Sequence, residues 1–294
     1  MEKQELIARL KEIVDPEFVL TTEMDLKLYS YDASMDRATP DVVVLPSCSE
    51  EVSKIMALCY KEKVPVLGRG SGTNLTGGTI PTKGGVVIHF SRMNKILEVD
   101  LPNLTVTVEP GIFTLDLQNQ MAALGYAYQP DPASQKVSTI GGNVSENSGG
   151  PKCLKYGTTT NHVKGLEIVL DDGTVVEMGG KAQDCPGFDL TGLMVGSEGT
   201  LGMVTKVTLR LMRKPEAVKT MLAVFNSIQD GANSVSAIIA EGIIPAALEM
   251  MDNTMMRAVE ATLKVGYPLD AACVLIIELD GMPEGMDEKA EQIV

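Results

Sequence analysis

Apolar residues recur along this chain with two periods, and the alternation between them lays out its elements. Leu6, Ile7, Leu10 and Ile13 return at three- and four-residue steps, which predicts an amphipathic helix at the start. DVVVLP (41–46) is short and β-branched and predicts a strand stopped by Pro46. Ser47-x-x-Glu50 has the form of a capping box, and Val52, Ile55, Met56 and Cys59 share one face of the helix it would open. VPVLG (64–68) and GVVIHF (85–90) predict two strands with a loop between them. ILEVDLPNLTVTVEPG (96–111) alternates on both sides of Pro102-Asn103 and predicts a hairpin. Thr114 is expected to cap a helix that Gly125 ends. VKGLEIVLDDGTVVEMG (163–179) predicts a second hairpin turned at Asp172-Gly173, and GMVTKVTLRL (202–211) a further strand. The sum is an α+β chain with mixed or antiparallel sheets, not a regular βαβ series.

The pattern changes after Pro215. A strand (TMLAVF, 220–225), a helix near 229–241, a Met-rich helix near 247–266 and a strand (ACVLIIELDG, 272–281) follow, then the opening of another helix. Two clear strands would not complete a core. The expected organisation is therefore a first domain at 1–214, with N-terminal helices to residue 40, and a partial second domain at 215–294.

Three segments break the periodic pattern with small residues. In PVLGRGSGTNLTGG (65–78), Gly68, Gly70, Gly72, Gly77 and Gly78 stand where a helix or strand interior would be weakened by each of them. The segment is not a P-loop, because Gly78 occupies the lysine position after Gly72-x-x-x-x-Gly77. Nor is it a Rossmann fingerprint, since the glycine spacing fails and a strand, not a helix, follows. What remains is a wide turn presenting backbone N–H groups, with Arg69, Ser71, Thr73 and Asn74 as polar additions: a nest for an anion. QPDPASQKVSTIGGNVSENSGGPKCLKYG (129–157) and VGSEGTLGMVTKV (195–207) repeat the peculiarity. Three such segments suggest one long ligand touching backbone in several places, as a dinucleotide with a fused ring would.

Bulk properties narrow the classes of partner. A net charge of −14 argues against nucleic acid or an anionic membrane surface. No apolar run reaches the length of a membrane span, and the first residues lack the continuous apolar core of a signal peptide, so a cytoplasmic location is expected. The five cysteines (Cys48, Cys59, Cys153, Cys185, Cys273) form no C-x-x-C pair and the two histidines are far apart, so neither a zinc site nor a disulfide framework is expected.

The three glycine segments, in this order, resemble the FAD-binding domain of the vanillyl-alcohol-oxidase superfamily. They are most similar to the bacterial D-lactate dehydrogenase / glycolate oxidase flavoprotein-subunit family, and the resemblance extends to PAALEMMDNTMM (245–256). It implies a two-subdomain FAD-binding fold followed by the first part of an α+β cap domain with an antiparallel sheet. It places Gly68, Arg69, Gly70, Ser71, Gly72, Thr73 and Asn74 in the pyrophosphate loop, with Gly77 and Gly78 supporting the turn. Pro130, Asp131 and Ser134 would line the flavin side. Gly142, Asn143, Ser145, Asn147, Gly149 and Gly150 would form the second backbone loop. Glu198, Gly202 and Val204 would stand at the adenine and ribose end. The histidine-rich metal and catalytic segment of the family has no counterpart here, so no catalytic residue is assigned and the chain is expected to be C-terminally truncated. A divalent metal would be expected only with that region, and the chain alone would hold FAD yet turn over feebly. His89 is expected to be a packed ring, His162 to lie beside the flavin loop, and the methionines of 247–256 to form helix core.

The implied activity is FAD-dependent oxidation of a 2-hydroxy acid, D-lactate foremost, by hydride transfer to a non-covalent flavin. Glycolate or D-2-hydroxyglutarate oxidation is the alternative, as is a flavin-binding electron-transfer subunit without its own turnover. Electrons would pass to an electron-transferring flavoprotein, an iron–sulfur subunit or a quinone.

Overall fold

The computed structural model describes residues 1–182 and 187–294, and Cys185 lies outside the described residues. These fall into two compact units, one of residues 1–148 and 158–212, the other of 149–157 and 213–294.

The first unit is built on two sheets. Helix α1 (Lys3–Ile13) buries Leu6 and Leu10, and α2 (Glu23–Leu28) is capped by Thr22, whose hydroxyl accepts from the Asp25 N–H. Strands β1 (Val19–Leu20), β2 (Val42–Val44), β3 (Val66–Arg69) and β4 (Val86–His89) form a sheet in the order β1-β2-β4-β3, parallel except at β1. The continuous Val-Val-Val of β2 reflects burial on both faces. Helix α3 (Ser49–Glu62) crosses from β2 to β3 and buries the predicted face, Val52, Ile55, Met56 and Cys59. It does not start at the predicted capping box. Cys48 is the N-cap without a side-chain bond, while the Glu51 carboxylate accepts from the Ser47 N–H at 2.6 Å and the Ser47 hydroxyl at 3.1 Å.

The second sheet collects the hairpins. β5 (Ile96–Asp100), β6 (Thr105–Val108), β7 (Val163–Val169), β8 (Val175–Gly179) and β9 (Met203–Arg210) run antiparallel in the order β5-β6-β9-β7-β8. Both predicted hairpins are present, with Leu104 (φ 53°) and Gly173 (φ 89°) at their turns. Helix α4 (Thr114–Ala123) has Phe113, not Thr114, as N-cap, because the Thr114 hydroxyl is spent on the Ser138 carbonyl at 3.1 Å and on Asn143 at 2.7 Å. Helices α5 (Ile140–Glu146) and α7 (Leu190–Met194) complete this unit.

In the second unit, β10 (Ala217–Phe225), β11 (Ala247–Asp252) and β12 (Cys273–Gly281) pair antiparallel with β12 in the centre. Helix α8 (Ile228–Ala240) and α10 (Met286–Ile293) close over Leu275, Ile277 and Leu279. The predicted Met-rich helix is in fact strand β11 followed by α9 (Asn253–Leu263). Ala-Leu-Glu-Met-Met favours a helix locally, but the ladder to β12 overrides it and Asp252 caps the helix that does form. Met256 alone of this methionine group is fully buried; Met250 and Met255 are exposed. The nine residues 149–157 include the short α6 (Cys153–Tyr156), tied to β12 by the Tyr156 hydroxyl on Asp280 (2.8 Å) and by the Lys155–Asp280 ion pair.

Candidate functional site

The connection between β3 and β4 runs from Gly70 to Gly85, and the glycine loop is its first part. The β3 residue that opens it is buried: Arg69, 5% exposed, donates to the Tyr31 carbonyl at 2.7 Å and to the Thr79 hydroxyl at 3.2 Å. Gly72 has φ +68°, and a Cβ there would land on the Arg69 guanidinium. A Cβ on Gly70 would land on the Thr139 hydroxyl. Both glycines are set by close approach. Asn74 donates to the Asp32 carboxylate at 2.7 Å, which pins the far side of the loop.

Within the second segment, the stretch that carries Gly142, Asn143 and Ser145 is a helix, Ile140–Glu146, not the expected loop. Thr139 caps α5 by accepting from the Gly142 N–H, and Gly141 packs on Pro110, where a Cβ would come within 2.6 Å. Asn143 is buried, and Asn147 in the left-handed region (φ 49°) ends the helix while accepting from the Thr160 N–H at 2.9 Å. The third segment is bound to this helix: the Gly196 N–H donates to Val144 O and the Glu198 N–H to Ser145 O, each at 2.9 Å. Glu198 itself has φ 53°, a strained value for a residue with a side chain. The first segment joins as well, since Thr76 donates to the Glu146 carboxylate at 3.2 Å.

Together the three segments enclose a cavity of about 260 Å³ in the first unit. Its lining includes Gly68, Arg69, Gly70, Ser71, Gly72, Thr73, Asn74 and Gly78 of the first segment. Ser134, Gly142, Asn143 and Ser145 contribute from the second and Glu198, Gly202 and Val204 from the third. Gly77, Pro130, Asp131 and Asn147 lie outside that lining, and Gly149 and Gly150 belong to the second unit. The sequence reading missed Thr139, Gly141, Glu146, Ser138, Ser148, Thr79, Phe90 and Pro110. Of these, only Gly141 and Thr139, beside the quoted glycines, carried a signal that could have found them. His162 is buried against Tyr128, ring centroids 5.8 Å apart, and does not line the cavity. His89 packs edge-on to Tyr29 and bonds Ser91, with burial pushing its pKa down to about 4.

The electrostatics are unusual for an anion site. Burial raises the Glu146 carboxyl, and Glu198 and Asp32 nearby raise it further. Among the described residues Arg69 is the only cation in the lining, and it is committed to protein oxygens. Among the described residues, no protein acceptor takes the N–H groups of Ser71, Gly72 and Thr73. A diphosphate would therefore be met by backbone donors in a turn with no side chains in the way. Those donors, the glycine cradle and the two carboxylates available to sugar hydroxyls fit a flavin dinucleotide. Among the described residues no group of carboxylates, histidines or cysteines is placed to hold a metal, and Cys48, Cys59, Cys153 and Cys273 are unpaired thiols.

This is a vanillyl-alcohol-oxidase-type FAD-binding fold. Over its full length the chain superposes on alkyldihydroxyacetonephosphate synthase with a TM-score of 0.87 at 23% identity, spanning 58% of that chain. It matches p-cresol methylhydroxylase at 0.82 and 19% identity, over 99% of this chain and 63% of that one. Residues 40–179 match the FAD binding domain family and residues 214–294 the C-terminal domain of FAD linked oxidases. Over nearly its whole length the chain is similar to the D-lactate dehydrogenase / glycolate oxidase flavoprotein-subunit family. It is 50% identical over 268 residues to the glycolate oxidase subunit GlcD of Bacillus subtilis, covering 90% of this chain and 57% of that protein. It is 40% identical over 294 residues to GlcD of Escherichia coli K12, covering 100% and 59%. A D-lactate dehydrogenase of Anaerostipes hadrus is 34% identical over 99% of this chain and 62% of that protein. The chain thus spans little more than half the length of these curated relatives.

Proposed function

We propose that this chain is the FAD-carrying part of a dehydrogenase that oxidises a short 2-hydroxy acid. The observation that carries the reading is the convergence of three glycine segments on one cavity, where the N–H groups of Ser71, Gly72 and Thr73 meet no protein acceptor among the described residues. Bound there, FAD would supply the acceptor for a hydride leaving the substrate's α-carbon. Gly70, Ser71, Gly72 and Thr73 would hold the diphosphate, Asn143 and Ser145 the central part of the cofactor, and Glu146 and Glu198 its sugar hydroxyls. Attachment would be non-covalent, a reading supported by a lining that holds neither histidine nor any of the described cysteines.

Glycolate is the first substrate to test, because the two relatives of higher identity named above are glycolate oxidase subunits; D-lactate and D-2-hydroxyglutarate follow. Electrons would leave to a partner subunit, an electron-transferring flavoprotein or a quinone, in the cytoplasm. No described helix is long and apolar enough to cross a membrane. The test is anaerobic addition of each acid to flavin-loaded protein. Bleaching of the flavin by one of them supports the dehydrogenase. A flavin reduced only by a redox partner supports an electron-transfer subunit, and failure to retain FAD at all overturns both.

A further inference from the structure

The match to the FAD binding domain family begins at residue 40, yet the glycine loop is held from outside it. The segment around Tyr31 and Asp32, between α2 and β2, lies against the whole loop. Arg69 at the loop's start donates to the Tyr31 carbonyl, and Asn74 at its middle donates to Asp32 Oδ2. The Thr79 hydroxyl accepts from Arg69 at 3.2 Å and has two acceptors within reach of its one proton, Asn74 Oδ1 at 3.2 Å and Asp32 Oδ2 at 3.4 Å. The Ala33 N–H closes the set on the Asn74 carbonyl at 3.1 Å. Asp32 and Arg69 are each 5% exposed, so the protein holds a buried carboxylate and a buried guanidinium that meet through one threonine hydroxyl.

Ionised groups are buried only where something compensates them. Here the two segments compensate each other: the loop's Asn74 donates to Asp32 Oδ2 and the strap's Tyr31 carbonyl accepts from Arg69, while the Ser34 N–H meets Asp32 Oδ1 at 2.7 Å. The cost of Gly72 makes the same point, since its left-handed backbone exists to pass over the guanidinium. We infer that Asp32 and Arg69 are paired positioning residues that set the shape of the 69–79 loop from behind, leaving the Ser71–Thr73 N–H groups directed to ligand. The N-terminal strap is then part of the cofactor site, and Arg69 serves as a brace and not as an anion ligand. The consequence for FAD rests on the function proposed above; the bracing of the loop does not.

The experiment uses the full chain and reads two things. One is amide hydrogen exchange across 70–79 in flavin-free protein; the other is FAD affinity from fluorescence quenching. Arg69→Met and Asp32→Ala should each speed exchange in the loop and weaken FAD about ten- to a hundredfold, with β5–β9 protected as before. Arg69→Lys, which can keep one of the two bonds, should fall between. The double variant Asp32→Asn/Arg69→Met should be no worse than its worse single change, because removing both charges leaves neither uncompensated. Unchanged loop exchange in Arg69→Met and Asp32→Ala, or strictly additive losses in the double variant, would overturn the inference. Should Arg69→Met fail to fold, Asp32→Asn decides, since it removes the charge and keeps the shape: native loop exchange there also overturns it. A wild-type chain that binds no FAD strikes the functional reading alone, and the exchange data still judge the brace.

Discussion

At Gly70 and Gly72 a single Cβ decides whether the cavity exists. Valine at either position would drive a branched side chain into the Thr139 hydroxyl or the Arg69 guanidinium, and at 72 it would also occupy a left-handed backbone. Each change should abolish FAD retention while far-ultraviolet circular dichroism stays near wild type; normal flavin content in both would remove the pyrophosphate assignment. Glu146 offers a different test. Its carboxyl is held above the ordinary glutamate value of 4.5 by burial, then by Glu198 and Asp32. A raised acid contributes stability that is fully present below 4.5 and lost as pH climbs through the higher folded value. Glu146→Gln should therefore melt higher than wild type at pH 7, with the difference vanishing by about pH 4. Thermal melts across that range read it directly, and equal melting temperatures at both pH values would exclude the repulsion.

The elements are held in place by polar bonds as well as by packing. Glu167 on β7, 7% exposed, accepts from Ser49 at the start of α3 at 2.5 Å, from Thr205 at 2.8 Å and from Lys206 at 2.6 Å. Burial opposes its ionisation, but these donors outweigh it and hold its pKa below the usual glutamate range. Its stabilisation is present above pH 4.5 and fades as pH falls below it. Glu167→Gln should cost about 1–3 kcal/mol at pH 7 in urea melts and less at pH 3, and a pH-independent cost would mean that packing alone is lost. The same scale shows what the sequence could reveal. Strands β2, β4, β6 and β9 and both hairpins were legible because alternation and turn residues are local signals. Strand β11 was not, since Ala247–Asp252 carries helix-forming residues and becomes a strand only by pairing with β12. The glycine segments announced themselves by what they lack. Glu146 and Asp32 gave no such notice, because their roles arise from contacts across long sequence separations.

For the whole molecule, each unit has its own core: Val42–Val44, Ile55 and Val86–Ile88 lie in the first, Ile238, Leu275 and Ile277 in the second. Every cavity-lining residue belongs to the first. Calorimetry should resolve two transitions, and FAD at about a hundred times its dissociation constant should stabilise only one of them, by about 2.7 kcal/mol. Equal shifts of both, or one merged transition, would mean that the units unfold as one. The chain's path between them also bears on how such a protein can be cut and recombined. Residues 149–157 leave the first unit, dock on Asp280 through Lys155 and Tyr156, and return at Thr158. A gene ending at residue 212 would therefore export a strip of the second unit stripped of its anchor, and a protease nick at that point would leave two fragments still sewn together. A hybrid flavoprotein that exchanges its second unit must exchange this nine-residue stitch along with it.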